Sequence, residues 1–183
     1  MKKKRAILIA GLVTLIGFGG TGILLMIYAQ DKNLPSIFFN AEFPVVQQLL
    51  IGFLFGLIAS LLLLLLLKRK MLNAARYYFA GIVKSYRVNY AEIVFLSFCA
   101  GVGEELFFRG ALQFWLGIWI TSLIFILLHG YLNPKDLPLF IYGTVLLIVS
   151  SGFGYLMAIS GIFSAMAAHF LIDVVLISYL KKR

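Results

Sequence analysis

"GVGEELFFRG", residues 101–110, places two adjacent glutamates and an arginine inside a long apolar run. The chain of 183 residues around it is 62% hydrophobic and 13% charged, whereas soluble domains are about 45–50% apolar and about 25% charged. A chain of this size could not bury so much apolar surface in water. We therefore predict an all-α, polytopic membrane helix bundle, in which buried ionisable groups mark a functional interior.

The apolar stretches on either side predict about six transmembrane helices, because about 20 apolar residues span the hydrocarbon core. The predicted spans are residues 6–29, 45–67, 91–113, 116–128 (a short one), 139–158 and 163–180. Residues 30–44 are expected to form an interfacial loop. Residues 68–90 mix basic and aromatic side chains, which favours an interfacial amphipathic helix over a solvated linker.

The net charge of +9 is concentrated next to the predicted spans. Basic clusters at residues 2–5, 68–87 and 181–183 all fall on one face of a six-span topology. The positive-inside rule makes that face cytoplasmic and places both termini there. This distribution predicts attraction to lipid headgroups and no nucleic-acid partner. Cys99 is the single cysteine, so an internal disulfide is excluded.

Ionisable side chains inside predicted spans are the strongest functional signal, because each costs roughly 2.5–3.5 kcal/mol at the bilayer centre. Glu105 and Arg109 are four residues apart and can form an ion pair on one helix face. Glu104 lies off that face and has no counter-ion in its own helix, which suits a general base or acid. The alternative is that all three form one structural charge cluster.

The two histidines strengthen the functional interpretation. His129 ends the fourth span, and His169 lies in the sixth, four residues before Asp173 on the same helix face. Because lipid exposure is costly, we expect these groups and Glu104 to converge on one water-accessible cavity, within about 4–6 Å of one another. Such a set suits hydrolysis, and a metal site is an alternative, although the HExxH signature is absent.

Three short motifs resemble those of one family. "EELFFR" (residues 104–109) is similar to the EExxxR motif of the CPBP family, the CAAX proteases and bacteriocin-processing enzymes also called Abi. "FILLH" (Phe125–His129) resembles its FxxxH motif, and "HFLID" (His169–Asp173) resembles its third motif. They occur in family order on predicted membrane helices, and the resemblance covers about residues 95–178.

The resemblance implies an intramembrane endopeptidase of the glutamate type, acting on a peptide or a membrane-anchored protein. It implies that Glu104, helped by His129, activates a water, and that His169 and Asp173 hold the oxyanion; Phe125 supports the second motif. The best-understood pattern has Asn where Asp173 stands, and an ionised Asp cannot donate a hydrogen bond. Asp173 must then be protonated or orient His169. No cofactor is implied, with a metal as the alternative.

The family includes processors of prenylated proteins and bacterial members tied to peptide maturation and bacteriocin self-immunity, which suggests a bacterial cell membrane. We interpret residues 1–90 as two N-terminal spans plus the basic segment, and residues 91–183 as a four-helix catalytic core. Two alternatives stay open: a non-catalytic immunity or binding protein, and a small transporter. A break of the third helix at "AGVG", residues 100–103, would favour the transporter.

Overall fold

The computed structural model describes residues 2–183, which form helices joined by short connections with no strand in that range. In chain order the helices are α1 Lys2–Leu12, α2 Gly20–Ala29, α3 Leu34–Phe39, α4 Val45–Leu67, α5 Asn73–Tyr86, α6 Tyr90–Glu105, α7 Gln113–Leu128, α8 Leu137–Ser160 and α9 Ile162–Lys181. A π-helical turn joins α1 to α2 at Val13–Gly19, and another joins α6 to α7 at Leu106–Leu112.

Within residues 2–183, five helical stretches are long and apolar enough to cross a membrane. They are Lys4–Ala29, Val45–Leu67, Tyr90–Leu128, Leu137–Ser160 and Ile162–Lys181. The predicted class, an all-α polytopic membrane bundle, is confirmed. The third and fourth predicted spans lie in the single stretch Tyr90–Leu128, which is 39 residues long.

Gly117 divides that long stretch into two antiparallel arms. Its φ of 71° and ψ of 175° are not helical, and a positive φ favours glycine. Arg109 Nη1 reaches Ser122 Oγ at 2.9 Å across the reversal, so the arm after Gly117 folds back along α6. Residues 118–128 rise only about 16 Å at 1.5 Å per residue. The fourth predicted span is therefore a half-span that ends at the depth of Glu104.

The "AGVG" segment does not break the third helix, since α6 is continuous from Tyr90 to Glu105. A Cβ on Gly103 would collide with the Thr14 carbonyl oxygen, and one on Gly22 would lie 2.6 Å from the Leu106 oxygen. The glycines here allow α6 and the N-terminal helix to pack backbone against backbone, as small residues do in membranes. The sequence feature that would have favoured a transporter is thus a packing surface.

Helix α9 is the most buried of the five spanning stretches. Its close partner is α4, where a Cβ added to Gly56 would lie 2.8 Å from the Ala168 oxygen. Because α4 approaches so closely, it fixes the position of the α9 turn that carries His169. Gly161, with φ of 117°, is the whole connection between α8 and α9.

The bundle has one end that carries the basic clusters, here called the basic end: residues 4–7, 68–90 and 181–183. Ile7, Val88 and Ile93 form one buried cluster there, and Lys181 Nζ donates to the Val88 carbonyl. At the other end, Gln30 Nε2 donates to the Ala111 oxygen at 3.0 Å. Both ends of the described chain therefore lie at the basic end, although the side chains of residues 1–3 are outside the described set.

Two connecting segments contain helices. Residues 30–44, predicted as a loop, include α3, because Asn33 and Ser36 form a reciprocal capping box and Pro35 occupies the first turn. The loop prediction was wrong at these six residues. At the basic end, α5 buries Ala75 and Ala80 and leaves its other face exposed, as expected for an interfacial helix.

Candidate active site

The three motif-bearing helices meet around one cavity of about 310 Å³. Glu104 comes from α6, His129 follows the last residue of α7, and His169 and Asp173 come from α9. All four side chains line the cavity. Helix α5 closes it towards the basic end with Phe79, Ile82 and Val83.

Glu105 and Arg109 form a fully buried ion pair beside this cavity. The Nε–Oε2 distance is 3.2 Å, and both side chains are 0% exposed. Arg109 also donates to Ser122 Oγ at 2.9 Å and to Ser150 Oγ at 2.6 Å. Because every arm of the guanidinium has an acceptor, the charge is compensated inside the bundle, and the pair ties α6, α7 and α8 together.

Glu105 also fixes His169, a contact that helix spacing could not have predicted because the two residues lie on different helices. His169 Nδ1 is 2.8 Å from Glu105 Oε1. An ionised carboxylate only accepts hydrogen bonds. The proton of the neutral ring is therefore on Nδ1, and this N–H donates a hydrogen bond to Glu105. The Phe153 ring stacks on the imidazole at 5.3 Å with an interplanar angle of 14°. Nε2 of His169 is therefore left facing the cavity.

Glu104 faces both imidazoles without touching either. Its Oε2 atom is 3.8 Å from His129 Nε2 and 4.0 Å from His169 Nε2. These distances exceed a direct hydrogen bond, and they suit a bridging water. His129 Nδ1 lies 2.7 Å from the Phe125 carbonyl oxygen, so Nδ1 is the donor and Nε2 presents a lone pair towards Glu104.

Asp173 faces the same ring nitrogen of His169, with Oδ2 3.6 Å from Nε2. Its side chain is 29% exposed and that of His129 is 34% exposed, whereas Glu104 is 15% exposed. The cavity therefore opens past His129 and Asp173, and Glu104 sits at its inner end. All four predicted residues are brought together, and each lies within 4.0 Å of at least one of the others.

Four further side chains support this site, and none of them is predicted from the sequence. Ser122 and Ser150 receive Arg109, Phe153 stacks on His169, and Tyr131 stacks on His129 at 5.6 Å and 18°. The only sequence signal for Tyr131 is its position two residues after the FxxxH histidine. Serines and a phenylalanine within apolar helices carry no signal of their own.

The donor atoms fit a zinc ion by chemical type but not by arrangement. Nitrogen and carboxylate ligands are those zinc prefers. No group of three His, Cys, Asp or Glu side chains in the described residues is placed to hold a metal together.

Residues 87–175 match the family described as type II CAAX prenyl endopeptidase Rce1-like. A relative, the uncharacterized protein YpbD of Bacillus subtilis, is 41% identical over 85 residues, which is 46% of this chain and 43% of the relative. The chain thus covers less than half of that relative's length. No solved structure matches this chain.

The matched segment contains Glu104, Glu105, Arg109, His129, His169 and Asp173. Members of this family are intramembrane proteases. The motifs, their order and the match identify residues 87–175 as an Rce1-like region of the CPBP family of membrane-embedded endopeptidases.

Proposed function

We propose that the protein is a glutamate-type intramembrane endopeptidase that hydrolyses a peptide bond in a membrane-associated peptide or protein. The observation that carries the proposal is the placement of Glu104 between two imidazole Nε2 atoms, at 3.8 and 4.0 Å, at the inner end of a cavity. In this proposal residues 91–183 form the catalytic core, and residues 1–90 supply supporting helices and the α5 cover.

Glu104 and His129 activate the water. A water bridging Glu104 Oε2 and His129 Nε2, which lie 3.8 Å apart, gives its proton to the carboxylate as its oxygen bonds to the scissile carbonyl carbon. The carbonyl electron pair moves to oxygen and forms an oxyanion. Glu104 then protonates the leaving nitrogen as the carbon–nitrogen bond breaks.

His169 is the first residue that stabilises the oxyanion. With Nδ1 bonded to Glu105 at 2.8 Å, its Nε2 is held towards the cavity and donates when the ring is an imidazolium. Asp173 lies 3.6 Å from Nε2, and as a carboxylate it orients the ring. We propose this orienting role for Asp173 in preference to direct contact with the oxyanion.

The activity is tested by incubating purified protein in liposomes with a library of hydrophobic peptides, with and without a C-terminal prenyl group, and identifying new termini by mass spectrometry. We expect cleavage that persists in the presence of a chelator, because no step uses a metal. Binding without cleavage would instead identify an immunity or binding protein. Loss of activity in chelator, restored by one divalent ion, would identify a metalloprotease.

The same experiment distinguishes two classes of substrate. Cleavage restricted to prenylated peptides would indicate processing of CAAX-type proteins. Cleavage of unprenylated peptides would instead indicate peptide maturation or bacteriocin self-immunity. The description of the matching family names a type II CAAX prenyl endopeptidase, so the prenylated peptides are the first to test.

We propose a bacterial cell membrane location with both termini cytoplasmic. The basic end carries the clusters at residues 68–87 and 181–183, which the positive-inside rule places in the cytoplasm. A reporter fused after Arg183 should therefore be cytoplasmic, and one inserted at Asn40 should be on the opposite side. The same side for both reporters would contradict this topology, and exchanged sides would reverse the orientation.

A further inference from the structure

The Tyr131 ring is held against the His129 imidazole in the cavity. It lies in the connection between α7 and α8, where its amide donates to the Ile126 oxygen at 3.3 Å. Gly143 of α8 lets the Tyr131 backbone pack in contact, because a Cβ there would collide with the Tyr131 carbonyl oxygen. The connection is thus fixed to both neighbouring helices at this residue.

Three aromatic neighbours hold the Tyr131 ring. It stacks on His129 at 5.6 Å and 18°, and it meets Phe79 edge-on at 5.7 Å and Tyr142 edge-on at 6.2 Å. Edge-to-face contacts of this kind are a favoured geometry for aromatic pairs. A ring fixed on three sides presents its hydroxyl in a defined place.

The hydroxyl of Tyr131 is an available donor at the cavity wall. The side chain lines the same cavity as Glu104, His169 and Asp173, and within residues 4–183 the contacts of Tyr131 are its three ring contacts and a backbone hydrogen bond. Burial raises the pKa of Tyr131, and the Asp173 and Glu104 carboxylates raise it further. The group is consequently a neutral phenol at physiological pH, able to donate its proton in a hydrogen bond.

A second donor is what the proposed chemistry lacks. Oxyanion sites use preorganised donors, and an ionised Asp173 cannot donate. His169 supplies one donor, from Nε2, while Nδ1 is engaged by Glu105. Glu104 accepts the water proton and is not available as a donor until the leaving nitrogen is protonated.

We propose that the Tyr131 hydroxyl donates the second hydrogen bond to the oxyanion. This is the hydrogen bond that Asp173, as a carboxylate, cannot donate. The inference rests on the proposed peptidase function. Tyr131 keeps its own proton throughout: the water proton passes to Glu104, and the carbonyl oxygen gains only the electron pair of its former π bond.

The test is Tyr131→Phe, which keeps the ring and its three aromatic contacts and removes only the hydroxyl. We expect kcat on the best-cleaved library peptide to fall about 100- to 1,000-fold, the range for one lost oxyanion donor. KM and the melting temperature should stay nearly unchanged. The matched control is Tyr78→Phe, which removes a hydroxyl from a ring that is 61% exposed on α5, and which should keep full activity.

Two non-hydrolysable probes separate donation from packing. A phosphinate version of the same peptide carries a charged tetrahedral oxygen, and a reduced-amide version carries no oxygen at that position. Tyr131→Phe should weaken phosphinate binding by a factor close to its loss in kcat and leave reduced-amide binding unchanged. Equal weakening of both probes would show a packing role and overturn the proposal.

The remaining outcomes are distinguishable. Full activity of Tyr131→Phe, in a protein that Glu104→Gln inactivates, would overturn the Tyr131 role and leave the peptidase function standing. Absence of cleavage by the unsubstituted protein across the whole library would overturn the function and the Tyr131 role together.

Discussion

Glu104→Gln should lower kcat/KM for peptide hydrolysis by about 1,000-fold or more, with little change in thermal stability. General acid–base groups contribute about 10²–10⁴-fold, and Glu104 is assigned both proton transfers. Glutamine has nearly the same shape but no basic carboxylate, so it cannot take the water proton. Initial rates on the best-cleaved peptide, with a melting curve of the same preparation, measure both quantities.

Folding should tolerate this substitution because the buried His169 ring keeps two closer carboxylates, Glu105 at 2.8 Å and Asp173 at 3.6 Å. The Glu104 carboxylate lies 3.8 and 4.0 Å from the two imidazole nitrogens, and its side chain is open to the cavity at 15% exposure. The amide can therefore be hydrated where the carboxylate was. A loss of activity that follows a loss of melting temperature would contradict the assignment.

The matched control is Glu92→Gln on the same helix. Glu92 caps the start of α6, where its Oε2 accepts from the Asn89 amide at 2.7 Å, and glutamine serves equally well at this position of a capping box. The control changes the same charge outside the cavity and should retain full activity. Equal inactivation of both variants would show that the net charge of the helix matters, and not the base.

Composition and helix spacing were sufficient for the fold class and for the pairs within one helix. An apolar fraction of 62% excludes a soluble core of this size. A spacing of four residues places Glu105 by Arg109 and His169 by Asp173, which lie at 3.2 and 3.6 Å. These predictions depend on local geometry, which a sequence encodes directly.

Contacts between helices depend on how far each helix is rotated and shifted, which spacing does not fix. The hydrogen bond from His169 to Glu105 is of this kind, since the partners are 64 positions apart in the sequence. The position of the chain reversal was also ambiguous. Gly103 and Gly117 look alike in sequence, yet Gly103 packs against Thr14 and Gly117 has open space where a Cβ would lie.

Glu105→Gln should have the opposite signature to Glu104→Gln, a large loss of stability. It removes the compensating charge of Arg109 in a site where both side chains are 0% exposed. Breaking a buried pair on one side typically costs about 3–5 kcal/mol, since the remaining charge stays in low dielectric. The serine partners of Arg109 are neutral, so they cannot replace the lost charge.

Unfolding in mixed micelles measures this difference, and the adjacent Glu104→Gln variant is the control. Adding Arg109→Met to Glu105→Gln should recover much of the lost stability, because an apolar side chain of similar length no longer leaves a buried charge. The glutamine carbonyl can still accept from His169 Nδ1, so part of the ring's orientation should survive. If Glu105→Gln folds with full stability and is inactive, while Glu104→Gln stays active, then Glu105 is the base and the two adjacent glutamates have exchanged roles.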